Sequence, residues 1–150
     1  MRAIDRWLGL YAESHRHATN KLIHWICVPI IVWTVVALLY CLPAPLPGLW
    51  AWIAGSAACA YYIVLSPRLA VGLAVVLLLL LAFTAALHTL IGVGSLALVA
   101  AAVFVAAWIG QFVGHEIEGK KPSFFTDLAF LLIGPAWIMA FIYRRSGWSY

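Results

Sequence analysis

The sequence predicts an all-α, multi-pass transmembrane helical bundle. Three observations carry that prediction. Of 150 residues, 66% are hydrophobic and 9% charged, whereas a soluble domain carries about 25% charged residues. From Leu22 to Gly114 the one formal charge is Arg68. Apolar runs of about 20 residues, the length that crosses a bilayer, recur between short breaks of Pro, Gly and polar residues. The length fits a single domain over residues 1–150.

The elements follow in order. Residues 3–20 read as an interfacial amphipathic helix: Ile4, Trp7, Leu8 and Tyr11 recur at i, i+3, i+4 and i+7, while Arg2, Asp5, Arg6 and Glu13 face elsewhere. The first span covers 22–42, with Pro29 expected to kink its early turns. Pro43-Ala44-Pro45-Leu46-Pro47-Gly48 forces a turn. The second span covers 49–65 and opens with Trp50 and Trp52 at the interface. Ser66-Pro67-Arg68 reads as a short loop. The third span, 69–91, contains five consecutive leucines. Gly92-Val93-Gly94 turns the chain into a fourth span, 95–114. A hydrophilic loop, 115–123, precedes a last apolar segment, 125–143, with Ser123, Thr126 and Asp127 as helix-start residues. Gly134-Pro135 falls at its middle, so this segment is either a fifth crossing or a bent, re-entrant one; broken backbone is tolerated there only where protein or water satisfies it.

Four crossings are an even number. Residues 14–24 and the segment after 114 are therefore expected on one side, where they can meet. Arg68, Lys120 and Lys121 fall on that side too, while the loops near 43–48 and 92–94 carry no charge. The positive-inside rule makes it cytoplasmic, with the N-terminus and the His115 loop facing the cytoplasm. No secretory signal peptide is visible. The compact chain without a eukaryotic sorting signal points to a bacterial inner membrane. Cys27, Cys41 and Cys59 lie in apolar segments without C-x-x-C spacing and read as small buried residues. No dense basic run suggests nucleic acid as a partner; the lipid bilayer is the expected one, and association into a homo-oligomer stays open.

The histidines stand out against this background. His15, His17 and His24 crowd one end of the apolar block and His115 closes the other. His17, Asn20 and His24 sit at i, i+3 and i+7, so one helix face can carry all three. On an unbroken helix His17 and His24 are roughly 10 Å apart; a break near residues 15–17 lets all three histidines converge. Gln111 and Glu118 share the face of His115, while Glu116 does not. Gly119 reads as a C-cap. Glutamate near a helix C-terminus is disfavoured by the dipole, so Glu116 and Glu118 need another reason to be there, and a bound cation supplies one. Gly110 and Gly114 form G-x-x-x-G, which allows close helix approach beside the site. Imidazole suits iron, zinc and copper alike, so spacing does not choose the metal. Lys120 and Lys121 read first as topology anchors. His88 falls near the opposite face.

The pattern Tyr11, His15, His17, Asn20, His24, Pro29, followed by H-E-I-E-G-K-K-P-S-F-F-T-D and then Pro135, resembles the Mpo1-like family, membrane proteins related to 2-hydroxy fatty acid dioxygenase. The second motif departs from the family's pattern, with one residue between its glutamates and Ser123 in place of Ala. The resemblance implies an Fe(2+)-dependent enzyme that uses O2 to remove one carbon from a 2-hydroxy fatty acid. It implies metal binding by His15, His17, His24 and His115, and makes Asn20, Glu116 and Glu118 the catalytic candidates. Arg16, Lys21, Lys120 and Lys121 are the candidates for pairing with the substrate carboxylate. Two other readings stand beside it: a non-enzymatic scaffold or lipid-binding protein with a structural metal, and a haem held by His24 and His115. Transport is disfavoured, because the spans carry almost no ionisable residue at mid-membrane.

Overall fold

A computed structural model describes residues 2–119 and 124–150, the side chains of 124–129 excepted. Its described residues are helical, without strand: α1 (Ala3–Glu13), α2 (Ala18–Cys41), α3 (Leu49–Leu65), α4 (Pro67–Glu118) and α5 (Phe124–Arg145). Two of these helices, α2 and α4, are long and apolar enough to cross a membrane, and α3 is a shorter apolar helix.

The 52-residue α4 is two arms and not one rod. Gly92 breaks it with φ 77 and ψ 164, a backbone state open to glycine and closed to most residues with a Cβ. The packing shows that the chain reverses there. Along α2, Trp33 meets Phe83 and Tyr40 meets His88, so α2 and the first arm (67–91) run parallel. Cys27 instead lies against Gly110 and Asn20 against Gly114, so α2 and the second arm (93–118) run antiparallel. α2 thus sits between the two arms, and residues 20 and 114 share one end of the bundle.

Several elements differ from the sequence expectation in instructive ways. α2 begins at Ala18 and runs unbroken through Pro29. Ser66 is not loop but the N-cap of α4: its side chain accepts from the Leu69 N–H, and Pro67 takes the first turn, where its missing N–H costs nothing. His115 to Glu118 continue α4, and Gly119 closes it in the left-handed conformation, as a C-cap does. Ile4, Leu8 and Tyr11 of α1 share one buried cluster with Ile133, Ala136, Trp137 and Ala140 of α5. The stripe expected to lie on lipid is covered by protein. α5 is a single helix that does not fold back at Pro135. The Tyr143 hydroxyl donates to the Arg68 carbonyl at 2.9 Å, and Arg2 and Arg68 bond the chain at Tyr150 and Ser149. The residues after α5 therefore return to the end of the bundle that carries the histidines. Ser123 and the side chains of Thr126 and Asp127 lie outside the described residues.

Candidate metal centre

The link between α1 and α2 creates the site. α1 ends at Glu13, where the Ser14 and His15 N–H groups close on Tyr11 and Ala12 carbonyls at 3.2 and 3.1 Å. His17 then opens α2 with extended backbone. The break turns His15 back over the preceding helix. Its ring stacks on Tyr11, 4.1 Å between centroids and 11° between planes. His15 Nδ1 lies 2.6 Å from the Tyr11 carbonyl, and His24 Nδ1 lies 3.0 Å from the Asn20 carbonyl. A carbonyl oxygen only accepts, so Nδ1 carries the proton in both rings and Nε2 carries the lone pair. Such fixing of the tautomer from outside is the usual support of a metal-binding imidazole.

His115 joins them from the last turn of α4. Ring centroids are 4.1 Å apart for His15 and His24, 5.1 Å for His24 and His115, and 5.8 Å for His15 and His115. One ligand atom from each lies within 4.8 Å of the other two. The three side chains are 4%, 3% and 9% exposed. Three imidazoles crowded at this spacing have the chemistry of a metal site, since small ring rotations close them on an ion whose bonds to nitrogen are about 2.0–2.1 Å for zinc and similar for its neighbours.

Glu118 ties the cluster's two sources together. Its carboxylate accepts from the Arg16 N–H at 2.8 Å, the His17 N–H at 2.9 Å and Asn20 Nδ2 at 2.9 Å. One of these donors, the His17 N–H, belongs to the N-cap of α2, the positive end of that helix, and the Arg16 N–H lies just before it. Desolvation pushes the Glu118 carboxyl up, but the hydrogen bonds from Asn20, His17 and Arg16 and the nearby His15 outweigh it and hold it down at about 2, from 4.5. Glutamate at the C-terminus of α4 thus finds its compensation in the N-terminus of α2. Asn20 is wholly buried and also donates to the Ser14 carbonyl at 3.2 Å. It fits because residue 114 is glycine: a Cβ there would fall 2.4 Å from Asn20 Oδ1.

The expected site residues therefore separate. His15, His24 and His115 converge. His17 does not join them; its exposed ring caps α2, Nδ1 accepting from the Thr19 N–H at 3.2 Å. Asn20 and Glu118 meet each other beside the cluster, while Glu116 is exposed. Gln111 is buried one turn before His115. Arg16 is exposed and Lys21 half-buried near the start of α2. Lys120 and Lys121 lie outside the described residues. His88 packs on Tyr40, far from the cluster. Two aromatic walls complete the site: Tyr11, against His15 and 6.4 Å from His24, and Trp137 of α5, 6.1 Å from His15. The sequence pattern included Tyr11 without giving it this role, and no signal in the sequence points to Trp137.

Residues 1–146 match the family described as 2-hydroxy-palmitic acid dioxygenase Mpo1-like. No curated protein matches the chain, and no solved structure does.

Proposed function

Because the chain belongs to the Mpo1-like family, we propose that it is a membrane-embedded, iron-dependent dioxygenase that shortens 2-hydroxy fatty acids by one carbon. The observation that supports this most is the meeting of His15, His24 and His115, buried, from two stretches of the chain about ninety residues apart. The reaction balances without a further reductant: a 2-hydroxy acid and O2 give the acid one carbon shorter, CO2 and water. Bound iron would supply the redox centre at which the hydroxyl and carboxylate oxygens of the substrate and O2 are brought together.

The chain's own residues have definable tasks in this reading. His15, His24 and His115 hold the metal. The Tyr11 and Asn20 carbonyls keep the protons of His15 and His24 on Nδ1. Glu118 and Asn20 hold the two halves of the site in register. Tyr11 and Trp137 wall it on the α5 side and exclude water. Arg16 and Lys21, with Lys120 and Lys121, are the cations available to the substrate carboxylate.

In the membrane, α2, α3 and both arms of α4 make four crossings, and α5 stays on the histidine side. That placement sets Arg144 and Arg145 beside Arg2 and Arg68, which satisfies the positive-inside rule where a fifth crossing violates it. A haem between His24 and His115 is disfavoured, because His15 occupies the space beside both rings. The test is turnover. Protein loaded with Fe(II) without oxygen, then given 2-hydroxypalmitate and O2, should form pentadecanoate and CO2 in equal amounts. Iron-loaded protein that forms neither would contradict the proposal.

A further inference from the structure

α3 presents Ala51, Ala54, Gly55 and Ala58 at i, i+3, i+4 and i+7 to the interior of the bundle. Stripes of small residues ordinarily let membrane helices close on one another. Here the contact closes at Gly55, where a Cβ would come 2.6 Å from Leu77. Beside it remains a cavity of about 180 Å³ between α2, α3, the first arm of α4 and α5. That volume exceeds the roughly 150 Å³ known to stay dry and take up benzene. The one hydroxyl among its lining residues, that of Tyr62, is already used on the Leu132 carbonyl at 2.7 Å. The wall therefore suits a hydrocarbon and has little for a polar guest.

The position of the cavity says which hydrocarbon. His24, Val28 and Val32 follow one another at four-residue steps on one face of α2, and Val32 lines the cavity. Between the two, Val28 and Tyr11 pack against Gly134, where a Cβ would stand 3.1 Å from the Tyr11 hydroxyl, so a chain reaching the cavity from the histidines must part this contact. By helix rise the cavity extends from roughly 12 Å to roughly 22 Å beyond His24, from Val32 to Leu39. One leaflet of hydrocarbon is about 15 Å deep. A chain whose headgroup rests at the histidines would thus enter the cavity with its distal carbons.

We propose that this cavity holds the distal hydrocarbon of the 2-hydroxy fatty acid and sets the chain length the protein accepts. The inference rests on reading the histidine cluster as the end that takes the carboxylate. The occupant is the substrate chain and not a bilayer lipid, because the cavity lies on the face of α2 that carries His24 and at the depth that the distal carbons of a chain held there would reach.

The test uses the full chain in phosphatidylcholine nanodiscs and 2-hydroxypalmitate bearing a photoreactive diazirine at its chain end. Label is expected between Val35 and Leu39 and between Ala51 and Ala58, displaced by unlabelled 2-hydroxypalmitate and not by added phospholipid. Ala54 lines the cavity and is exposed at its mouth, so Ala54→Leu should fold and fill it. It should lower labelling there and reduce kcat/KM for 2-hydroxypalmitate about tenfold or more relative to 2-hydroxyoctanoate, the scale on which a pocket discriminates methylenes. Ala57→Leu, the same change on an exposed position outside the cavity, should do neither. Label spread over the exposed Leu78, Leu79 and Leu90, or displaced equally by phospholipid, would overturn the proposal. Label in the cavity without turnover on any 2-hydroxy acid would instead sink the dioxygenase reading and leave the cavity assignment standing.

Discussion

The two ends of the bundle are built on opposite principles. At the end near Gly92, Ala37, Leu96 and Ala100 are fully buried against one another, and Thr34 and Thr84 return their hydroxyls to carbonyls of their own helices. Between the helices, that end is held by apolar packing. At the other end His15, Asn20, His24, Gln111 and His115 are buried together, an arrangement that is costly unless polar groups find partners. Its hydrogen bonds link residues about a hundred positions apart, as from Arg16, His17 and Asn20 to Glu118. Apolar packing keeps the helices together, whereas the polar end spends stability to hold three imidazoles in one place. Disturbing the first should change stability without touching the site; disturbing the second should change the site first.

The largest effect is expected from Gly114→Val. Its Cβ would collide with Asn20, so the helix end must retreat from the link that carries His15. A loss of about 1–3 kcal/mol in stability should accompany a fall in iron affinity of about 10–100-fold, read by denaturation in detergent and by competition with a chelator. Ala100→Leu breaks the comparison from the other side. Overpacking the fully buried position should also cost about 1–3 kcal/mol, with iron stoichiometry unchanged; lost iron there would mean that the two ends are not independent.

Glu118→Gln keeps the shape of the clasp and removes its charge. Iron affinity should fall about tenfold, as for other groups that support metal ligands. The sign with pH follows from a carboxyl held at about 2 against 4.5 when free. Its contribution is fully present above pH 4.5 and is lost as pH falls from there through 2. The stability difference between metal-free parent and Glu118→Gln should therefore be flat from pH 5 to 8 and shrink in more acid solution, which is the window set by those two values. A difference that instead disappears near neutral pH would assign the effect to a histidine. The smallest effect belongs to His17→Ala, which removes a helix cap worth about 0.5–2 kcal/mol and should leave iron bound.

Much of the architecture was legible because long apolar runs between short breaks simplify the code. The bounds 49–65 expected for the second span are those of α3. The break at Gly92, the cap at Gly119 and the close approach at Gly110 and Gly114 all follow from residues whose geometry admits few alternatives. The even count of crossings anticipated the meeting of His15 and His24 with His115. What stayed hidden depends on contacts across the sequence. Periodicity shows that Ile4, Leu8 and Tyr11 share a face, but lipid and a neighbouring helix are equally apolar, so it does not show that α5 covers them. The dipole argument showed that Glu118 needs a positive partner, yet a cation and a helix N-terminus answer that need alike. The choice of three histidines among four turned on one local event, the use of His17 as the cap of α2, which spacing alone cannot separate from metal binding.

The central claim is that His15, His24 and His115 hold one iron ion between them. Elemental analysis of detergent-purified protein, loaded with Fe(II) without oxygen, tests it most directly against the His24→Ala, His115→Ala double variant and against His17→Ala. The account predicts stoichiometric iron in the parent and in His17→Ala, and none in the double variant. A parent that takes up no iron, or a double variant that keeps as much as the parent, would contradict it.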